Sequence, residues 1–181
     1  IGLAFDGDAD RCFLIDENGQ IVSPSSLTSL IAVRKLKEKP GASVIYNLIS
    51  SKAVPEVIAE NGGLGVRSRV GHSYIKSLMA ESGAIFGGEH SGHFYFADFW
   101  KADSGMLAAL YAIAELMATK STLSELLQPF NRYVASGEIN SKVKDAAKSI
   151  KFIRDKFHDG YEIDELDGLT VTADSWWFNL R

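Results

Sequence analysis

The chain has 181 residues, of which 46% are hydrophobic and 23% are charged, a composition typical of a folded globular protein. Its formal net charge of -4 and its pI of about 5.6 indicate no basic surface, so we expect neither a nucleic-acid partner nor an anionic membrane. Cys12 is the only cysteine, which excludes an internal disulfide framework. No apolar run approaches the ~20 residues that span a bilayer, so no membrane-spanning helix is expected and the cytosol is the expected compartment.

Short apolar runs and helical periodicities alternate along most of the chain. Residues 1–5 and 12–15 predict two strands around an acidic loop, and a helix at residues 25–39 ends at Pro40-Gly41. Further strands are predicted at residues 44–48, 65–70 and 84–86, and further helices at residues 51–61, 72–81 and 103–120. This alternation predicts an α/β fold with a mostly parallel sheet and helices on both faces. Ligands of such sheets bind beyond the carboxyl ends of the strands, so the loops after Phe5, Arg69 and Phe86 are the candidate sites.

The composition changes after Pro129. A Lys-rich amphipathic helix is predicted at residues 142–157 and a hairpin at residues 167–180, which together indicate a partial α+β domain. Both ends of the sequence fall in or beside apolar runs, so we expect the chain to be a piece of a longer protein.

The acidic loop carries Asp6, Asp8 and Asp10 at a spacing of two, followed by Arg11. Carboxylate oxygens suit a hard cation such as Mg²⁺, and three unpaired carboxylates would otherwise repel one another. A solvated acidic turn explains the bare pattern about equally well. An EF-hand would also use Glu17 at its twelfth position, but Arg11 replaces the required glycine and the flanks are predicted strands. A haloacid-dehalogenase-type phosphatase, with Asp6 as nucleophile, is the main enzymatic rival.

A second polar loop spans residues 67–73. It places Arg67, Arg69, His72 and Ser73 where a strand meets a helix N-terminus, a position that favours an anion. Taken alone, this loop is explained more simply by His72 or Ser73 capping the helix.

A third loop, residues 87–93, combines Glu89, His90, Ser91 and His93 with three glycines. Glu89 and Ser91 offer an acceptor and a donor suited to sugar hydroxyls. Zinc binding by His90 and His93 has little support, because no cysteine or third histidine stands nearby.

Taken together, the three loops resemble those of the α-D-phosphohexomutase superfamily, in particular its bacterial phosphomannomutase/phosphoglucomutase branch. The resemblance rests on the order and spacing of three segments, namely Asp6-Gly7-Asp8-Ala9-Asp10-Arg11, Val70-Gly71-His72-Ser73 with Ile75-Lys76, and Gly88-Glu89-His90-Ser91-Gly92-His93. It implies that residues 1–15 close a second domain, residues 16–128 form a third, and residues 129–181 begin a fourth.

The resemblance also implies a set of site residues. Asp6, Asp8 and Asp10 would hold Mg²⁺, and Arg11 would support the phosphoryl group that a phosphoserine donates to a hexose phosphate.

The substrate would contact Gly71, Glu89 and Ser91, while His72 and His93 would contact phosphate or transfer protons. The implied reaction interconverts hexose 1-phosphate and 6-phosphate, with mannose or glucose as the sugar, through a bisphosphosugar intermediate.

Two features depart from the family pattern. The phosphoserine loop and the fourth-domain phosphate loop have no counterpart, so the chain is expected to be inactive without the remaining domains. Ile49 stands where some relatives carry a lysine, with Lys52 nearby. A phosphatase with Asp6 as nucleophile and a non-catalytic sugar-phosphate or metal-binding module remain the alternatives.

Overall fold

The computed structural model describes residues 1–181 and divides the chain into two compact units, Ile1–Val134 and Ala135–Arg181. The first unit contains seven strands, which are β1 (Gly2–Phe5), β2 (Cys12–Ile15), β3 (Ser43–Asn47), β4 (Leu64–Ser68), β5 (Phe86–Gly88), β6 (Phe94–Phe96) and β7 (Ala102–Asp103). Its α-helices are α1 (Pro24–Glu38), α2 (Ala53–Glu60), α3 (His72–Ser82), α4 (Gly105–Met117) and α5 (Leu123–Leu127), and a 3₁₀ turn follows at Gln128–Phe130.

The central sheet has the strand order β4-β3-β5-β6-β7. The strands joined through helices, β4, β3 and β5, run parallel, whereas β6 and β7 continue the sheet in antiparallel pairings. The predicted α/β class is therefore confirmed. Because β3, β4 and β5 share one direction, their carboxyl ends lie along the same edge of the sheet.

Side chains of alternate residues enter separate cores on the two faces of this sheet. Val44, Phe94 and Phe96 pack with α1, α2 and α4, whereas Ile45 and Tyr95 pack with α3. This period-two segregation is expected of strands buried on both faces, and it confirms the prediction of helices on both sides.

The predicted position of the third parallel strand, residues 84–86, is wrong. The strand instead runs from Phe86 through Gly87 and Gly88, which the sequence pattern had placed in a loop. A Cβ on Gly88 would lie 2.2 Å from Thr28 Oγ1, so the absence of a side chain lets α1 pack directly on the strand. The helix predicted at residues 103–120 likewise begins only at Gly105, because Asp103 belongs to β7.

Strands β1 and β2 form an antiparallel hairpin that presents the acidic loop. Cys12 and Leu14 of β2 are buried in the same core as α1 and α4, and this anchors the hairpin to the first unit. The domain boundaries after residues 15 and 128 stay predictions.

The second unit consists of α6 (Ala146–Lys156) and a three-stranded antiparallel sheet of β8 (Glu162–Asp164), β9 (Leu169–Thr172) and β10 (Trp177–Leu180). The pairing of β9 with β10 confirms the predicted hairpin. The ring centroids of Phe157, Tyr161, Trp176 and Phe178 each lie within 6.0 Å of at least two of the others, which gives this small unit an aromatic cluster. Across both units, no helix is both long enough and apolar enough to cross a membrane.

Candidate functional site

The acidic loop curls tightly between β1 and β2. Ala9 adopts a positive φ of 59°, and its N–H donates to the Asp6 carbonyl oxygen at 3.3 Å. As a result, one ligand atom from each of Asp6, Asp8 and Asp10 lies within 4.8 Å of the others. Because strands flank the loop, the EF-hand interpretation fails.

Two of the three carboxylates have opposite electrostatic environments. Arg11 donates its backbone N–H to Asp6 Oδ1 at 3.2 Å and its Nε–H to Asp6 Oδ2 at 2.6 Å, and these bonds lower the pKa of Asp6. Burial raises the pKa of Asp10, and the nearby Asp6 and Asp8 carboxylates add to that rise while His93 opposes it. Asp10 Oδ1 is buried without any hydrogen bond, a feature that the solvated-turn interpretation does not account for.

The acidic loop rests on the start of α4. The Gly105 N–H donates to the Ala9 carbonyl oxygen at 3.2 Å, and a Cβ on Gly105 would lie 2.5 Å from the Arg11 carbonyl carbon and oxygen. Only glycine therefore allows the helix N-terminus to approach this closely. No local pattern in the sequence indicates this contact, because the partners are almost a hundred positions apart.

The third loop is a tight connection between β5 and β6. The Glu89 N–H donates to the His93 carbonyl oxygen at 2.9 Å, and the Gly92 N–H donates to the Glu89 carbonyl oxygen at 3.1 Å. Gly92 has a φ of +90°, as expected of the glycine that closes a three-residue hairpin turn. The Cys12 N–H also donates to the Gly92 carbonyl oxygen at 3.1 Å, which joins this turn to β2 directly after the acidic loop.

Glu89 is buried, with 2% of its surface exposed, and its carboxylate joins the end of β3, the N-terminus of α3 and β6. Oε1 accepts from the Gly71 N–H at 3.1 Å and from Asn47 Nδ2 at 3.5 Å, and Oε2 accepts from the Tyr95 hydroxyl at 2.7 Å. Sequence reasoning assigned Glu89 to sugar binding and missed Asn47 and Tyr95. The position of Asn47 at the end of β3 was the available signal for that residue.

His93 lies between the acidic loop and Glu89. Its Nδ1 is 3.0 Å from Ser91 Oγ and 3.6 Å from Glu89 Oε2, and its Nε2 is 3.5 Å from Asp10 Oδ1. Ligand atoms of Asp10, His93 and Asp103 form a second group that converges within 4.8 Å. His90 belongs to neither convergent group, so the zinc pairing of His90 with His93 finds no support.

Asp103 is a site residue that sequence reasoning did not identify. Lys76, on α3, forms an ion pair with Asp103 at 2.8 Å. Burial alone would raise the pKa of Asp103, but the bond to Lys76 and the nearby positive charges lower it overall, which favours the carboxylate. The only sequence signal was Lys76, which falls in the second loop segment.

The second loop reaches this network through its backbone. Gly71 is the N-cap of α3 and no side chain caps the helix, so the interpretation that His72 or Ser73 is a simple capping residue is wrong. His72 and Ser73 are both exposed, and neither is hydrogen-bonded to Glu89 or His93. Arg69 lies over the Tyr74 ring, 4.8 Å from its centroid. The structure thus brings Gly71 to Glu89 and leaves His72 at the surface of the same edge.

Residues 23–133, more than half of the chain, match the family model described as phosphoglucomutase/phosphomannomutase, alpha/beta/alpha domain III. The chain belongs to this family. The resemblance found in the three loop segments is thereby confirmed, and the three-layer arrangement of the first unit agrees with the description of the model.

Members of the phosphoglucomutase/phosphomannomutase family resemble the chain along its whole length. The phosphomannomutase of Methanocaldococcus jannaschii is 44% identical over 181 residues, and that of Escherichia coli K12 is 41% identical over 184 residues. Both alignments include 100% of this chain and 40% of the relative, so the chain spans well under half of the length of these proteins. A solved phosphoglucomutase/phosphomannomutase family protein from Burkholderia thailandensis has a TM-score of 0.84 at 32% identity, over 97% of this chain and 38% of that one.

Proposed function

We propose that the full-length protein is a phosphohexomutase that interconverts hexose 1-phosphate and hexose 6-phosphate, with mannose, glucose or both as the sugar. The observation that carries this proposal is the convergence of three loops at one edge of the sheet. Asp10 of the acidic loop is 3.5 Å from His93, and the Gly71 N–H of the second loop donates to Glu89 of the third. Membership of the family supplies the reaction class, and the relatives named phosphomannomutase support the mutase assignment.

We propose Mg²⁺ as the cofactor, held by Asp6, Asp8 and Asp10. The donor set fits because it consists of oxygen atoms only and converges within 4.8 Å, with one buried carboxylate oxygen that accepts no hydrogen bond. A bound Mg²⁺ would stabilise negative charge on a transferring phosphoryl group.

The remaining roles follow from where the side chains lie. Arg11, fixed by Asp6, would support the phosphate, and Ser91 would bind a sugar hydroxyl. Glu89 is engaged by three protein donors, two on Oε1 and one on Oε2, so Oε2 can accept one further bond from a sugar hydroxyl.

His93 is placed to accept or donate a proton, because its ring nitrogens approach Asp10, Ser91 and Glu89. His72, exposed at the first position of α3, would contact phosphate, and Gly71, whose N–H is bonded to Glu89, would lie beside the substrate. The phosphoserine that donates the phosphoryl group would come from the remaining domains of the full-length protein, and the chain alone would be inactive.

The test is turnover of mannose 1-phosphate and glucose 1-phosphate by the phosphorylated full-length protein with and without Mg²⁺. Asp10→Asn should reduce kcat by at least about a hundredfold, because it removes one metal ligand. The control Asp174→Asn, an exposed aspartate in the second unit, should leave kcat unchanged. No Mg²⁺-dependent turnover by the wild type would refute the mutase proposal.

The chemistry of the phosphoenzyme separates the mutase from its phosphatase rival. A phosphoserine survives hydroxylamine, whereas an aspartyl-phosphate on Asp6 is cleaved by it. Both Asp6 oxygens already accept hydrogen bonds from Arg11, an arrangement that suits a ligand better than a nucleophile. Binding of hexose phosphate without any phosphoenzyme would instead indicate a non-catalytic module.

A further inference from the structure

His90 lies at the tip of the turn between β5 and β6, and the proposed reaction assigns it no role. It stands between Glu89 and Ser91 in the chain, and its side chain reaches across to the N-terminus of α1. There, His90 Nδ1 is 3.3 Å from the Oγ of Ser25, a residue 65 positions away that is only 3% exposed. Ser91 bonds to His93 on the other side, so both tip residues of the turn have a fixed partner.

The surroundings of Ser25 determine which His90 nitrogen carries the proton. The Ser51 N–H can only donate, and it donates to Ser25 Oγ at 3.1 Å. The Ser25 hydroxyl proton is then left without an acceptor unless it points to His90 Nδ1, since the structure offers Ser25 Oγ no other bond. A buried hydroxyl with an unsatisfied proton is disfavoured, so His90 Nδ1 is the acceptor and Nε2 carries the hydrogen.

The opposite edge of the His90 ring is available to a ligand. Nε2 makes no hydrogen bond within the chain, and the residue is exposed at the edge of the sheet where Glu89 and Ser91 lie. Partial burial of the ring lowers the pKa of His90, which agrees with a neutral imidazole near pH 7 even though part of the residue is exposed.

We propose that His90 is a substrate-binding residue whose Nε2–H, oriented by the Ser25 hydroxyl, donates a hydrogen bond to an oxygen of the hexose phosphate. This inference rests on the proposed function, because it requires a hexose phosphate at Glu89 and Ser91. A neutral donor fixed in one tautomer gives directional recognition of an oxygen acceptor without adding charge to the site. The acceptor is an oxygen of the sugar or of its phosphate, and the two sources can be separated experimentally.

Three variants of the full-length protein distinguish a contact made by His90 Nε2 from one made by His90 Nδ1. A glutamine amide can place an N–H near the Nε2 position, whereas an asparagine amide reaches only the Nδ1 position and can still accept from Ser25. His90→Asn should therefore raise KM and the calorimetric Kd for hexose 6-phosphate about tenfold, with kcat within about twofold. His90→Gln should stay within about threefold of the wild type for both constants, and Ser25→Ala should fall between the two variants.

Inorganic phosphate as a competitive ligand identifies the acceptor. If His90→Asn weakens inorganic phosphate binding by the same factor as hexose phosphate binding, the contact is to the phosphate. Unchanged inorganic phosphate binding places the contact on the sugar.

The tautomer can be determined without any activity. In ¹⁵N-histidine spectra of the wild type at mildly alkaline pH, His90 should show an unprotonated Nδ1 and a protonated Nε2, and Ser25→Ala should mix the two tautomers. A predominant Nδ1–H tautomer would overturn the proposal. So would wild-type KM and Kd in a folded His90→Asn variant.

If the wild type binds hexose phosphate but does not turn it over, the mutase proposal fails while the Kd values still decide the role of His90. If the wild type binds no hexose phosphate, both proposals fall.

Discussion

Replacing Tyr95 by Phe tests whether the buried Glu89 carboxylate holds β3, the N-terminus of α3 and β6 together. The Tyr95 hydroxyl donates to Glu89 Oε2 at 2.7 Å, and both residues are almost fully buried. Hydrogen bonds to buried charged groups contribute about 1.5–3 kcal/mol each, so Tyr95→Phe should lower the free energy of unfolding by about 2 kcal/mol. Urea unfolding of the chain, followed by far-UV circular dichroism, measures this difference.

A double-mutant cycle with Glu89→Gln isolates the pair. The glutamine amide keeps an acceptor for the Gly71 N–H, but it removes the charge that strengthens the bond from Tyr95. The double variant should be more stable than the sum of the single effects predicts, by about 1–2 kcal/mol. Tyr133→Phe, whose hydroxyl bonds to Glu56 at the exposed surface, is the control and should change stability by less than about 0.5 kcal/mol. Additive single effects within about 0.5 kcal/mol would refute the role of Glu89 as a shared acceptor.

Three further predictions concern close packing around the site. Gly105→Ala would ordinarily favour a helix, but the added Cβ would lie 2.5 Å from the Arg11 backbone, so the variant should unfold with a free energy lower by about 1–3 kcal/mol. It should also weaken Mg²⁺ binding at least about tenfold in calorimetry, and an unchanged Mg²⁺ affinity would contradict the contact. Gly88→Ala should cost a similar free energy of unfolding because of Thr28, without a comparable loss of Mg²⁺ affinity. Burial raises the pKa of Cys12 to about 11, above its ordinary value of 9.0, so the thiolate forms only as the pH approaches 11. Iodoacetamide should therefore modify Cys12 slowly at about pH 8 in the folded chain and rapidly in urea, and equal rates of modification would refute its burial.

The sequence was sufficient for the order of helices and strands up to β5, whereas β6, β7, α5 and β8 were not predicted. Apolar runs and stop signals are local, so the helices at residues 25–39 and 72–81 were predicted within about two residues at each end. Parallel strands bring their carboxyl ends to one edge, which accounts for the meeting of the second and third loops. The acidic loop instead belongs to the separate antiparallel β1–β2 hairpin, and the bond from the Cys12 N–H to the Gly92 carbonyl oxygen joins it to the third loop.

The remaining features depend on contacts between distant residues. The extension of β5 through Gly88 depends on how closely Thr28 packs on that residue, a contact across 60 positions that no local pattern encodes. The burial of Glu89 depends on donors from three separate segments, and the pairing of Lys76 with Asp103 depends on the register of β6 and β7. Tertiary packing decided each of these outcomes, because local propensity is weak compared with burial.

The charges of the acidic loop explain how a cation and a phosphate could be held side by side. Asp6, Asp8 and Asp10 together with Arg11 leave two net negative charges, the amount that one Mg²⁺ neutralises. Arg11 uses its backbone N–H and Nε–H to hold Asp6, and its two terminal amino groups make no hydrogen bond within the chain. These amino groups form a planar fork of the kind that suits a phosphate, and in the proposed site they would bind it in two places. A single side chain can thus fix a metal ligand on one edge and bind an anion on the other, and this would keep the transferring phosphoryl group next to the metal without a second cationic residue in the loop.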